Sequence, residues 1–330
     1  MRSPLAAQVH AQLSSGGFHS GADLARRLGV TRSAIWKAVR LLKGLGLAVQ
    51  AVRNRGYRLA APCEPLDPEQ IRAALRRAVR EHIRRIEVVW SLASTNAALL
   101  ERTDVPRGTA DVLLAEHQSA GRGRRGRTWL APLGGAICLS LGWSFPEVPR
   151  DLAALGLAVG VCARRALGEQ CRESIQLKWP NDLTIADRKL GGILIEMRAE
   201  SGGPAYVVIG LGINVALGKR MREQVQATGT LPTDLEAAGA DPAPRNAIAA
   251  DLVSEIVAGL ARFQREGLRP FIEEWKQSDA LRGRPISVHS GEATTRGVAR
   301  GIDASGALLV ETPHGLRKLI SGEVSVRPRA

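Results

Sequence analysis

Seven residues of AGRGRRGRTWLAP (Ala120–Pro132), Gly121 to Arg127, hold four arginines and three glycines. Guanidinium groups pair bidentately with phosphate or carboxylate, and glycines let the backbone fold close around such a ligand. The stretch also satisfies G-x-G-x-x-G, the dinucleotide fingerprint. That fingerprint needs a helix right behind its glycines and an acid roughly 20 residues further on. Here RTWLAPLGG follows, and no acid occurs between Gly126 and Glu147, so the match is accidental. A G-K-[ST] phosphate loop is also missing. Two strand-like runs, DVLLAEHQ and GAICLSLGW, deliver the loop and lead away from it. It reads as a mobile cover over an anionic small molecule, against the plainer reading of a solvated turn.

KWPNDL (Lys178–Leu183) ends the apolar run SIQLKW. A lysine there needs a counter-charge once a core closes around it. Asp182 could supply it as a structural salt bridge, or a bound anion could. STN (Ser94–Asn96), behind IEVVW, is an ordinary helix cap when taken alone, and GLGINV (Gly210–Val215) is a lone G-x-G. Cys63, Cys138, Cys162 and Cys171 make no C-x-x-C pair, and the six histidines show no H-x-x-x-H spacing. The cysteines read as small buried hydrophobes rather than a disulfide frame or zinc site. No Cys/His or Ser/His nucleophile pairing is legible. The chemistry on offer is the handling of negative charge.

The elements that must position these residues fall into three segments. In HSGADLARRLGVTRSAIWKAVRLLKGLG, Ser20 with Asp23 makes a capping box, and Gly29 suits a positive-φ turn. Thr31 caps a second helix with Ile35, Val39 and Leu42 on its inner face. Arg32, Ser33, Trp36, Lys37 and Arg40 are left facing out. LAVQAVRNRGYRL then alternates as two strands about Asn54–Gly56, presenting Arg53, Arg55 and Arg58. This is a winged helix-turn-helix, whose second helix enters a major groove while the wing reaches phosphates. A small helical bundle with a solvated basic face is the plainer alternative. Prolines at 62, 65 and 68 mark a boundary. Beyond it, strand-like and helix-like runs alternate to about Gln277, an α/β core. The last fifty residues show short alternating strands split by glycines, which suggests a small β-barrel. The expected domains are 1–63, 64–277 and 278–330.

Composition agrees. A chain of 330 residues, 45% hydrophobic, can bury a sizeable core. The net charge is +14, and residues 1–62 hold ten basic side chains against one acid, Asp23. The excess is concentrated where the helix-turn-helix lies, which points to a nucleic-acid partner. No apolar run approaches the roughly 20 residues of a membrane span, and the N-terminus lacks a signal peptide's apolar core. A cytoplasmic, reducing location is expected.

STN, HQSAGRGRRGRTW, KWPNDL with RKLGGILIE behind it, and VIGLGINV stand in the order and spacing of the biotin–protein ligases. The chain resembles that family over nearly its full length. With the winged helix it is similar to the bifunctional form, which joins biotin ligase and biotin-operon repressor. GVARGIDASGALLV and SGEVSVR echo the family's small C-terminal domain. Two departures are small: the wing reads NRGY where the family often has G-K-G-Y, and Ala131 replaces a frequent serine. The first bears on operator specificity, the second on loop detail.

The resemblance implies an α/β (α+β) chain. Its central mixed sheet would be related to class II aminoacyl-tRNA synthetases, and its terminal domain would be an SH3-like barrel. It implies that Ser94, Thr95, Asn96 and Gln118 meet biotin's ureido head and ring, and that Arg122, Gly123 and Arg124 close over its carboxylate and the phosphate. Lys178 would touch the carboxylate and α-phosphate, acting in catalysis with Arg122 and Arg124. Trp129 would flank adenine, and Asn214 would help hold the nucleotide. Biotin and ATP would be substrates, with Mg²⁺ accompanying ATP on ligands the sequence does not identify. The partners would be the biotin carboxyl carrier protein of acetyl-CoA carboxylase and the operator DNA of biotin genes. The adenylate would act as corepressor and promote a homodimer. A biotin-sensing regulator without catalysis and a ligase for lipoate would share part of this pattern. Lys178 beside an intact arginine loop weighs against the first, and the GRGRRGR loop against the second.

Overall fold

A computed structural model describes residues 4–102, 104–168, 170–199, 205–240, 244–290, 293–320 and 322–326. Arg2, Ser321 and Arg327, each part of the sequence features above, lie outside these ranges.

The N-terminal unit contains α1 (Leu5–Ser14), α2 (Gly21–Leu28), α3 (Arg32–Gly44), β1 (Val49–Val52) and β2 (Gly56–Leu59). Ser20 Oγ accepts from the Asp23 amide at 3.0 Å and caps α2. Gly29 turns the chain at φ 65°, and Thr31 Oγ1 caps α3 through the Ala34 amide at 3.2 Å. Ile35, Val39 and Leu42 of α3 bury against Val9 and Leu13 of α1. β1 and β2 pair antiparallel from Val49↔Leu59 to Val52↔Gly56, so the wing forms. α1 is an addition to the helices expected from sequence: no side chain caps it at Pro4, which removes the usual start signal.

The central unit runs α4 (Pro68–Ala74), β3 (Ile83–Leu92), α5 (Thr95–Leu100), β4 (Ala110–Gln118), β5 (Ala136–Phe145), α6 (Leu155–Gly168), β6 (Gln176–Lys178), β7 (Asp182–Ile185), β8 (Arg188–Ala199) and β9 (Ala205–Asn214). α7 (Gly218–Gln226), α8 (Arg245–Glu266) and α9 (Ile272–Gln277) complete it. Its seven-stranded sheet has the order β3-β4-β5-β9-β8-β7-β6. Among the described strands of this sheet, β3 and β4 pair parallel and every other neighbouring pair is antiparallel. β4 and β5 read as nearly unbroken apolar runs because both of their faces are covered. α6 and α8 pack one face, burying Trp143, Phe145 and Phe263, each contributing about 1.5–3 kcal/mol. α5 lies on the other face, over β4, β5 and β9.

The proline-rich boundary is anchored rather than loose. Arg245, buried at the start of α8, donates to Glu64 O at 2.7 Å and to Glu116 Oε2 at 2.9 Å. Asn246 Nδ2 donates to Pro65 O at 2.9 Å. The N-terminal unit also docks on the central one. The Leu133 amide donates to Leu45 O at 2.9 Å, and the His10 ring packs tilted against Trp90 with centroids 5.8 Å apart.

The C-terminal unit holds β10 (Pro285–Ser290), β11 (Ala293–Ile302), β12 (Leu308–Thr312), β13 (Gly315–Leu319) and β14 (Glu323–Val326). They form an antiparallel sheet in the order β13-β12-β11-β10-β14. A register shift between Ala299 and Ile302 bends β11. Trp179 Nε1 donates to Gly306 O at 3.1 Å and ties this unit to the KWPNDL turn. No described helix is long and apolar enough to cross a membrane.

Candidate active site

A cavity of about 930 Å³ opens on the α5 face of the central sheet and reaches the C-terminal unit at His289, Gly322 and Val324. Its inner end is polar. Ser94 Oγ caps α5 by accepting from the Ala97 amide at 3.5 Å, which turns Thr95 and Asn96 onto the sheet. Gln118 Oε1, at the end of β4, accepts from the Thr95 amide at 2.8 Å and from its hydroxyl at 3.0 Å. Ser140 of β5 lies 2.7 Å from Thr95 Oγ1 and 2.6 Å from Asn96 Oδ1. Asn96 Nδ2 donates to Glu196 Oε2 at 2.9 Å.

The glycines of GLGIN have a use that a nucleotide motif does not describe. A Cβ on Gly210 would fall 2.3 Å from Asn96 Oδ1, and one on Gly212 would fall 2.3 Å from Trp129 Cε2. β9 is bare where a carboxamide and an indole must lie flat against it. Asn214, at its end, donates Nδ2 to Thr233 O at 2.9 Å and to Lys189 O at 3.3 Å, so its amide hydrogens brace neighbouring chain.

The outer part is basic. The arginine loop is a small folded-back turn. Gly123 N donates to Arg127 O at 2.7 Å and Trp129 N to Gly121 O at 2.8 Å, with Arg125 at φ 55° and Gly126 at φ 73°. Arg122 reaches Glu196 at 3.0 Å, and Arg124 reaches Asn181 Oδ1 at 3.3 Å. Across the cavity, Lys178 and Asp182 are cross-strand neighbours on β6 and β7. The Asp182 carboxylate is nevertheless taken by Lys189 Nζ at 2.7 Å. Asp187 is paired with Arg284. Among the described residues Lys178 has no ion-pair partner, so the structural salt bridge to Asp182 does not form. Burial holds its ammonium below the ordinary lysine pKa, partly offset by the Asp182 charge. A half-buried cation facing a cavity favours an anion in that cavity.

All ten residues singled out for ligand contact, from Ser94 to Asn214, line this cavity. Sequence reasoning missed Ser140, Asn181, Lys189, Glu196 and Arg284, whose partners lie on other elements of the chain and carry no local signal. It also missed one pairing, Ser91 Oγ to His117 Nδ1 at 3.1 Å. That pair sits across β3 and β4 but outside the cavity lining, with His117 held below the usual histidine pKa by burial. The basic residues of the first unit lie apart from the cavity. Arg32, Ser33, Trp36, Lys37 and Arg40 are exposed on α3, and Arg53, Arg55 and Arg58 on the wing. Arg40 stacks at 4.8 Å from the Trp36 ring, and Arg55 and Arg58 lie 4.2 and 4.7 Å from the Phe18 ring.

Residues 91–214 match the biotin/lipoate A/B protein ligase family. Residues 6–58 match an HTH domain, and residues 282–327 match the biotin protein ligase C terminal domain. The bifunctional ligase/repressor BirA of Salmonella typhimurium is 38% identical, with 96% of this chain and 95% of that protein covered. The Bacillus subtilis BirA is 30% identical, over 99% and 100%. Among solved structures, a biotin protein ligase from Aquifex aeolicus in complex with biotin and ATP superposes with a TM-score of 0.62 at 26% identity. The match covers 74% of this chain and all of that one.

Proposed function

The chain belongs to the bifunctional ligase/repressor branch of the biotin/lipoate A/B protein ligase family, and from that premise we propose how its residues divide the work. The protein is an ATP-dependent biotin–protein ligase and a DNA-binding repressor. Biotin's carboxylate attacks the α-phosphorus of ATP, giving biotinyl-5′-adenylate and releasing pyrophosphate. The ε-amine of a carrier-protein lysine then attacks the acyl carbon and AMP leaves. Neither step requires a protein nucleophile. Catalysis comes from bringing two anions together and offsetting the charge that builds on phosphorus.

One observation carries this reading: the polar cluster of Thr95, Asn96 and Gln118, Lys178 and the arginine loop share a single cavity. In our reading Ser94, Thr95, Asn96 and Gln118 receive the ureido head. Lys178, Arg122 and Arg124 surround the carboxylate and α-phosphate, with Gly123 letting the backbone close in. Trp129 flanks adenine, and Asn214 braces the nucleotide's floor. We read Mg²⁺ as arriving on the triphosphate. Among the described residues no three carboxylates, histidines or cysteines gather into a metal cage, and Asp182 and Asp187 are already paired with Lys189 and Arg284. The domains are taken as 1–63, 64–277 and 278–330. The mixed central sheet supports kinship with class II aminoacyl-tRNA synthetases, and the bent five-stranded sheet supports an SH3-like unit. The exposed α3 and wing residues meet operator DNA, the adenylate promotes a homodimer, and the acceptor is the biotin carboxyl carrier protein of acetyl-CoA carboxylase.

Biotin-dependent ATP–pyrophosphate exchange tests the proposal. Exchange with biotin is expected. Exchange with lipoate alone would make the chain a lipoate ligase, and none at all would leave a biotin-sensing regulator.

A further inference from the structure

Glu196 has no part in the roles above, yet one of its oxygens joins two residues of the cavity wall. Oε2 accepts from Asn96 Nδ2 at 2.9 Å and from Arg122 at 3.0 Å. These donors lie 100 and 74 residues away in sequence, one at the start of α5 and the other in the arginine loop. We propose that Glu196 is a positioning residue that both orients the Asn96 carboxamide and seats the Arg122 loop. Reading of the ligand's head and closure of the loop are thereby coupled through one carboxylate. The proposal rests on the ligase reading given above.

An ionised carboxylate only accepts, so the Asn96 amide must turn its NH₂ toward Glu196. The backbone carbonyl of Leu194 also accepts from Nδ2, at 3.3 Å. Oδ1 is then directed toward Ser140 and keeps a lone pair for an N–H of the ligand. Gln118 is fixed in the complementary sense. Its Oε1 is taken by Thr95, so its Nε2 end is the donor side. A ureido group, with N–H beside C=O, meets one acceptor and one donor. Reversal of the Asn96 amide would set two donors against it.

The same oxygen acts on the loop. Four arginines within seven residues repel one another, and Glu196 supplies an opposite charge to the first of them. Arg122 is thus held on the same carboxylate oxygen that orients Asn96. Strand geometry makes the arrangement possible: Leu194 and Glu196 share a face of β8, and Leu194 pairs with the bare Gly210 over which Asn96 lies.

Glu196→Gln keeps the shape, removes the charge and offers both a donor and an acceptor, so either Asn96 orientation is tolerated. The full-length protein is assayed for biotin KM and kcat in ATP–pyrophosphate exchange, and for the rate at which labelled biotinyl-adenylate leaves. The expected result is a biotin KM raised roughly tenfold or more, the weight of one charge-assisted hydrogen bond, with kcat little changed. Adenylate should leave faster by a similar factor, and Glu196→Asp should recover part of both losses. The double variant Arg122→Ala/Glu196→Ala should release adenylate more slowly than the product of the two single effects, because the Arg122–Glu196 contact they share is lost only once and only the Asn96 part of the Glu196 effect adds. Wild-type KM and release in Glu196→Gln, or multiplying losses in the double variant, would overturn the proposal. So would a fall in kcat and melting temperature with KM unmoved, which is the mark of a merely structural residue. Wild-type protein lacking exchange altogether would instead bring down the ligase reading, and this proposal with it.

Discussion

Replacing Gly212 with alanine drives a methyl group into the face of Trp129. The added Cβ falls 2.3 Å from Cε2, 2.6 Å from Cζ2 and 2.8 Å from Nε1 of the indole. Carbon atoms rest at about 3.5–4.0 Å, so a separation of roughly 1 Å or more has to be made up. The strand cannot supply it. Gly212 is paired on both sides, with Cys138 of β5 and Gly192 of β8, in the middle of the sheet. The ring is the freer partner, being half-buried and part of the cavity wall, so it swings into the space we assign to adenine. Overpacking of this kind costs about 1–3 kcal/mol, which corresponds to a rise in ATP KM of about 5- to 150-fold. Biotin affinity should change far less, since Asn96 lies against Gly210 instead. Exchange kinetics with ATP titrated at saturating biotin, then the reverse, separate the two. Wild-type ATP KM in Gly212→Ala would refute the reasoning, as would a loss confined to biotin.

Lys178→Ala should lower adenylate formation by about 10²–10³-fold with DNA binding intact, and wild-type exchange kinetics in a folded variant would remove Lys178 from the reaction. Because burial lowers the Lys178 pKa, kcat/KM for biotin should fall as pH rises through that lowered value and the ammonium is lost. Lys178→Arg should push this alkaline fall to higher pH, and an unmoved profile would assign the titration elsewhere. A fragment beginning at Glu64 should keep adenylation and lose DNA binding. One beginning at Leu66 loses the Glu64 and Pro65 carbonyls, and each buried donor left unpaired costs about 1–3 kcal/mol, which thermal melting reads directly. Arg124→Gly should still form adenylate but let it escape, labelling lysines of bystander proteins in a mass-spectrometric assay. Adenylate retained as in wild type would count against a covering role for the loop.

Much of this architecture is legible in the sequence where the signal is local. Ser20, Gly29 and Thr31 mark helix ends because caps and turns are decided within a few residues. The arginine loop and Lys178 stand out because charge is conspicuous between apolar strands. What stays hidden depends on register between distant segments. GLGIN looks like a weak nucleotide motif until β9 is placed under α5 and Trp129, when its glycines become clearance for Asn96 and the indole. The Lys178–Asp182 pair follows naturally from adjacency, but Lys189 reaches Asp182 instead, and nothing local announces that. Glu196 and Ser140 are ordinary strand residues until the sheet is assembled around them.

Glu64 cannot meet its anchor until Arg245 has been made, 181 residues later. At the about 5–20 residues per second of synthesis, that interval lasts about 10–40 s. The core of the first unit, by contrast, draws on residues from Ala6 to Val49 and borrows little more than Leu133 from the rest. Its helices can pack soon after they leave the ribosome, while Trp90 and Leu133, the surfaces that will hold the unit in place, have no sheet behind them. The order of synthesis therefore leaves an interval in which a basic head can be folded and untethered. A nascent protein can meet nucleic acid before it has a cavity with which to sense biotin.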